Sequence, residues 1–227
     1  MALAGLSPWA VVVARVGDGA KSRLAHVLDP TQRHELALAM LADVLAVCTS
    51  PHAPLDGVIA VLDTLEARTL ARGFGAQAIP DDGGDMNRAV RAGISAALAC
   101  GAETAIVLPG DIPLLSVSDL FALIDAATED QRAVVVGASR DGQGTNALLL
   151  RPPAVITPSF GPPSVDRHLR LARSAGATAR VLSNLGLSHD VDTPADLAAL
   201  ADLPVGRSTA RLLCSGNLTA PLASHPR

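Results

Sequence analysis

Tyrosine is absent from this chain of 227 residues, Trp occurs once and Phe three times, so aromatics make up only 2%. That excludes a surface on which nucleic-acid bases stack, because such platforms are built from aromatic rings. Excess positive charge is also lacking: the formal net charge is −4, without the basic footprint of a nucleic-acid binder. Cysteine is scarce, and Cys48, Cys100 and Cys214 stand far apart with no CxxC or Cys/His cluster, so neither a disulfide framework nor a zinc site is expected. Cys48 and Cys100 fall in apolar, helix-like stretches and read as core fillers. No apolar run reaches about 18 residues, the length of a membrane span. The N-terminal stretch lacks the basic region and cleavage pattern of a signal peptide. A cytoplasmic protein with neither nucleic-acid nor membrane partners is expected. Lysine is nearly missing as well: Lys21 is the single lysine in a set of 18 Lys and Arg residues.

Apolar residues, by contrast, make up 49% of the chain against 18% charged. That composition rules out dominant disorder, and the length suits one domain with a sizeable core of Ala, Leu and Val. Short β-branched runs predict strands at 9–14, 57–62, 76–79, 104–108, 133–138, 146–150 and 179–182. Between them, Ala/Leu-rich segments of helical period predict helices at 31–48 (capped by Asp29 or Thr31), 64–73, 87–100, 116–127 (Ser116 or Ser118), 164–174 and 194–200 (Thr193). Apolar strands without alternation, joined by helices, indicate an α/β fold: a mostly parallel, mixed central sheet with helices on both faces. Residues 1–202 read as one domain and 203–227, which lose the pattern, as a C-terminal extension.

In such sheets ligands bind outside the carboxyl ends of the strands, so the loops there hold the candidates. After the first strand, Arg15-Val-Gly-Asp-Gly-Ala-Lys21-Ser-Arg23 offers glycines and cations to a phosphate, or is a solvated turn. It is not a P-loop, since Arg15 and Ala20 occupy the glycine positions. After the fourth strand, Asp111 in LPGDIPLL is placed for Mg²⁺, or for capping the next helix. In His189-Asp190-Val-Asp192, the two carboxylates project to one side of an extended segment and repel unless a cation joins them; Asp192 is alternatively a helix cap. His189 reads as structural, and Asp196 belongs to the first turn of its helix. Asp141-Gly-Gln-Gly-Thr145-Asn146 precedes a strand. Gly161 and Ser164 open a helix, where backbone donors and a hydroxyl suit an anion; for both segments the alternative is a turn with a cap. The acidic 81–87 loop, ending in Met86-Asn87, shapes a pocket or is solvated. Two anion sites with three carboxylates at strand ends point to two phosphorylated substrates bridged by Mg²⁺, and so to phosphoryl or nucleotidyl transfer.

The set AKSRL (20–24), LPGDIPLL (108–115), DGQGTNALLL (141–150), FGPPSVDRHL (160–169) and HDVDTPADL (189–197) resembles the guanylyltransferases of coenzyme F-420 biosynthesis, relatives of the molybdopterin guanylyltransferases. The resemblance runs from about residue 9 to 202. It implies a Rossmann-like, nucleotide-diphospho-sugar transferase-like fold, and an enzyme joining GTP to 2-phospho-L-lactate, phosphoenolpyruvate or 3-phospho-D-glycerate with release of pyrophosphate. It further implies Lys21, Arg23 and Asp111 as catalytic residues, with Lys21 and Arg23 facing the triphosphate. Asp111, Asp190 and Asp192 would hold Mg²⁺, and Arg15, Asn87, Thr145, Gly161 and Ser164 would bind substrate. A homodimer, with its product passed to a downstream transferase of the same pathway, follows from the same likeness. Arg15 stands where the family usually has lysine, and Met86 where leucine is common. A molybdopterin- or sugar-phosphate-type nucleotidyltransferase is the neighbouring alternative, although the loop after strand one lacks the paired glycines of those enzymes. A nucleotide-binding domain without catalysis is the other.

Overall fold

The structure of the chain, a computed structural model, describes residues 6–218. Its strands are β1 (Pro8–Ala14), β2 (Gly57–Leu62), β3 (Gln77–Pro80), β4 (Thr104–Pro109), β5 (Ala133–Ala138), β6 (Thr145–Arg151) and β7 (Thr178–Leu182). They form one sheet in the order β3-β2-β1-β4-β6-β5-β7. Every pairing is parallel except those of β6, which runs antiparallel to both β4 and β5. The mixed, mostly parallel sheet read from the apolar runs is therefore the one observed.

The helices are α1 (Pro30–Cys48), α2 (Leu65–Gly73), α3 (Met86–Ala99), α4 (Val117–Asp125), α5 (Ser164–Ser174), α6 (Leu185–Ser188), α7 (Pro194–Ala199) and α8 (Arg207–Cys214). Alternate residues of each strand face opposite layers. Ala10, Val12, Ala60 and Leu108 meet α1, α2 and α4 on one face. Val11, Val13, Val61 and Val107 meet α3 and α5 on the other. Both faces are covered, which is why the strands read as unbroken apolar runs. Few large rings are needed because the layers lie close: a Cβ on Gly93 of α3 would stand 2.3 Å from Val11 Cγ1.

Local signals set the helix starts. Asp29 caps α1 reciprocally with Gln32, Ser116 caps α4 with Asp119, and Thr193 caps α7 with Asp196. Asp196 thus lies in the first turn of its helix and Thr193 caps it, both as expected, with the reciprocal bond from Asp196 added; Thr31 and Ser118 do not cap. Cys48 is buried, but Cys100 is exposed, correcting its reading as core. It follows the last residue of α3, beyond the apolar stripe, where its thiol reaches only Gln77 Oε1 at 3.6 Å.

Within the segment read as an extension, α8 packs along α1. Leu212 and Leu213 cover the cluster containing the fully buried Leu36 and Met40. The buried Asp43 carboxylate accepts hydrogen bonds from Ser208 N (2.7 Å) and Thr209 N (2.8 Å), so it serves as a cap supplied from another helix. Residues 219–227 of that extension lie outside the described residues. Among the described residues no helix is long and apolar enough to cross a membrane.

Candidate active site

The chain runs from β1 outward through β2 to β3, then crosses back to place β4 on the other side of β1. The gap between the carboxyl ends of β1 and β4 is thus the switch point at which open α/β sheets bind ligands. A cleft of about 360 Å³ opens there, lined by Arg15, Lys21, Arg23, Asp81, Asp111 and Asp192 among others. The strand ends close on each other because residue 110 is glycine: a Cβ there would lie 2.5 Å from Ala14 Cβ.

Lys21 is the centre of this cleft. Its φ of 51° lies in the left-handed region, a conformation that is uncommon for a side chain of this length and that clusters at functional sites. From it the ammonium donates to Asp111 Oδ2 at 2.5 Å and to Asp192 Oδ1 at 3.1 Å. Arg23 Nη1 donates to the other Asp192 oxygen at 3.0 Å. Burial disfavours the Lys21 charge, but attraction from Asp111 and then Asp192 outweighs it and holds the ammonium's pKa above its ordinary value. A main-chain bond from Val191 N to Asp111 O, 3.2 Å, brings the 190–192 segment against the end of β4.

Asp190 sits in the same corner and accepts from Asn146 Nδ2 at 3.0 Å. Burial raises its pKa; the bond from Asn146 opposes this, and the like charges of Asp111 and Asp192 add to it. The three aspartates expected to act together are therefore neighbours. They do not form a ready-made cage, however: among the described residues no group of three or more His, Cys, Asp or Glu is gathered to hold a metal ion. Lys21 stands between two of them.

Because β6 runs antiparallel, its first residue, Thr145, emerges at the edge where the parallel strands end. Ser164, the first residue of α5, donates to Thr145 Oγ1 at 2.9 Å. No side chain caps this helix. Gly161 (φ 99°) turns the chain into it. The structure thus brings Thr145 together with the Gly161–Ser164 turn, Ser164 lying 19 residues further on.

Two expected binding residues have protein partners of their own. Asn87 donates to Phe160 O at 3.3 Å and accepts from Phe160 N at 2.6 Å, so its amide ties α3 to the Gly161 turn. Arg15 donates to Asp81 Oδ2 at 2.8 Å and to the Gly84 carbonyl, closing the acidic 81–87 loop over the cleft. That loop lines the pocket at Asp81 and Met86. His189 makes a bond at Nδ1 to the Ser188 hydroxyl, 3.0 Å.

Sequence reading missed Asp63, whose carboxylate accepts from Val16 N (3.1 Å) and Gly17 N (3.0 Å) and fixes the start of the Arg15–Arg23 loop. Two amides of that loop are thereby engaged, and what it presents to an anion is chiefly Lys21 and Arg23. The signal for Asp63 was its place directly after β2.

The fold is shared with structures already solved. A nucleotidyl transferase from Methanothermobacter thermautotroptrophicus superposes with a TM-score of 0.64 over 93% of this chain and 100% of that one, at 20% identity. Residues 10–211 match the family described as guanylyl transferase CofC like, and the chain belongs to that family. It is 35% identical to a phosphoenolpyruvate guanylyltransferase from Conexibacter woesei, over 98% of this chain and 100% of the relative. It is 39% identical to a 3-phospho-D-glycerate guanylyltransferase from Phenylobacterium zucineum, over 90% and 94% of the two chains. The chain is accordingly an enzyme of the nucleotidyltransferase class.

Proposed function

We propose that this enzyme transfers the GMP moiety of GTP to a small phosphorylated three-carbon acid, in coenzyme F-420 biosynthesis. The observation that carries the reading is the Lys21–Asp111–Asp192 centre at the switch point, with the Thr145–Ser164 hydroxyl pair at the same sheet edge. Relatives named for phosphoenolpyruvate and 3-phospho-D-glycerate supply the acceptor class.

In the reaction, a phosphate oxygen of the acceptor attacks the α-phosphorus of GTP in line. The new P–O bond forms as the bond to the β-phosphate oxygen breaks, and pyrophosphate leaves with the electron pair. Lys21 and Arg23 offset the charge that develops on the pyrophosphate, a task for preorganised cations rather than a covalent nucleophile. Thr145 and Ser164, with the turn at Gly161, orient the acceptor. Arg15 holds the 81–87 loop as one wall.

The donor set fits Mg²⁺. Asp111 and Asp192 meet the Lys21 ammonium, Asp192 also meets Arg23, and Asp190 beside them carries a pKa raised by burial and its like-charged neighbours. Mg²⁺ characteristically takes one or two carboxylates together with substrate phosphates rather than a closed protein cage. Asp111, Asp190 and Asp192 would hold it; when bound, it supplies charge neutralisation between two anionic substrates.

Pyrophosphate release tests the reading. The purified chain is given GTP with phosphoenolpyruvate, 3-phospho-D-glycerate or 2-phospho-L-lactate, and ATP and CTP serve as controls. Release with GTP and one of the three acids is expected. Release with no acid, or equal release with all three nucleotides, overturns it.

A further inference from the structure

His168 is fully buried, stands one helical turn after Ser164 on α5, and has no part in the chemistry above. The main-chain N–H of Ser159 donates to its Nε2 at 3.0 Å, so that nitrogen carries a lone pair. The proton of the neutral ring is therefore on Nδ1, 3.1 Å from Thr145 Oγ1. The ring stays neutral: burial, with some help from the Arg167 charge, brings its pKa down to about 4. Phe160 packs edge-on against it with ring centroids 5.2 Å apart.

We propose that His168 is a positioning residue that makes the Thr145–Ser164 pair a hydrogen-bond donor to the anionic acceptor. With His168 donating into the pair, the two hydroxyls hold two protons, and only one is needed to bond them to each other. Whichever way that internal bond runs, one hydroxyl proton is left over to face outward. Were the ring proton on Nε2, Nδ1 would draw a proton from Thr145, and the pair would be left with no outward donor. The tautomer set by Ser159 N–H thus decides whether this corner attracts or repels a phosphate or carboxylate oxygen. It does so without a net charge that would compete with the cations around Lys21.

The proposal rests on the reading of Thr145 and Ser164 as acceptor-binding residues, and the experiment separates the two. KM for the acceptor acid and for GTP is measured for wild type, His168→Leu, His168→Asn, Thr145→Val and Ser164→Ala. ¹⁵N NMR of the wild-type ring records which nitrogen is protonated. His168→Leu is expected to raise the acceptor KM about tenfold or more, the worth of one hydrogen bond to a charged group, while leaving the GTP KM within about twofold. His168→Asn, whose amide N–H replaces Nδ1–H, is expected to recover most of that loss. A proton on Nε2 in the NMR spectrum overturns the proposal even if the Leu variant does not fold. So does an Asn variant as impaired as Leu, or equal rises in both KM values. If Thr145→Val and Ser164→Ala leave the acceptor KM unchanged, the acceptor reading itself falls. If they raise it and His168→Leu does not, only the role of His168 falls.

Discussion

Two polar centres share one edge of the sheet and are built by opposite means. Around Lys21 the groups are charged and partly open to water: Asp192 is 39% exposed at its side chain and Arg23 73%. Around His168 the groups are neutral and largely withdrawn from water, with Ser164 1% exposed and Thr145 7%. On the function proposed above, the charged centre would answer a substrate whose charge grows as pyrophosphate leaves, and its value would lie in the transition state. On the same proposal, the neutral centre would answer a group whose charge is the same before and after the reaction, and its value would lie in binding. Removing parts of the first should lower kcat, and removing parts of the second should raise KM for the acceptor.

The sharpest way to break this contrast is Asp111→Asn, which keeps shape and removes charge. Activity with GTP is expected to fall at least about a hundredfold, the scale of losing one preorganised electrostatic group. The acceptor KM should change far less. Turnover that survives intact would take Asp111 out of the chemistry and leave it a counterion for Lys21.

Next in size is Lys21→Arg. The charge is unchanged, but a planar fork replaces a compact ammonium held between two carboxylates. The side chain is only 8% exposed, so the larger group has little room. A drop in kcat/KM of about tenfold, with the melting temperature nearly unchanged, is expected from that mismatch. An unaffected rate would make the solitary lysine a matter of composition alone.

The two centres were not equally legible in the sequence. Buried parallel strands print themselves as short β-branched runs, and once the alternation with helices is seen, the strand-end rule names the loops that hold Lys21, Asp111, Asp190 and Asp192. Their meeting is a matter of topology, with Lys21 and Asp192 171 residues apart. The resemblance pointed to Thr145 and Ser164. Nothing local marked His168, because its partners are a main-chain amide and a hydroxyl 23 residues away. Asp63, and the tie of Asn87 to Phe160, were obscure for the same reason: each bonds backbone, which carries no residue signature. The helix α8 escaped notice because its stripe is only two leucines long and needs α1 to complete it.

The neutral centre also predicts a pH effect on stability. The His168 pKa moves from about 6.5 unfolded to about 4 folded, so between those values the unfolded chain binds more protons. Stability is full above about pH 6.5 and is lost as pH falls through that window, by about 3 kcal/mol at one 1.4 kcal/mol step per unit. Denaturant titrations at pH 7 and pH 4 should show this loss in wild type. The loss should be smaller by roughly that amount in His168→Asn, which has no proton to take up. An unchanged difference would show that the ring is not held neutral.

The smallest effect is expected at Arg15→Lys, on the rim of the charged centre. Arg15 Nε meets Asp81 while a second nitrogen meets the Gly84 carbonyl. A lysine has one point of attachment and keeps only one of the two. The guanidinium is 47% exposed but the Asp81 side chain only 1%, so what would cost stability is leaving that carboxylate unpaired, and a lysine that keeps the Asp81 contact avoids it. The melting temperature should therefore move little. The 81–87 loop, tethered once instead of twice, should fit the acceptor less well, with a rise in its KM of about two- to fivefold, the size of one exposed hydrogen bond. A kcat loss of tenfold or more would instead put Arg15 beside Lys21 as a cation acting on the reacting phosphates, and the boundary between the two centres would have to be redrawn to include it.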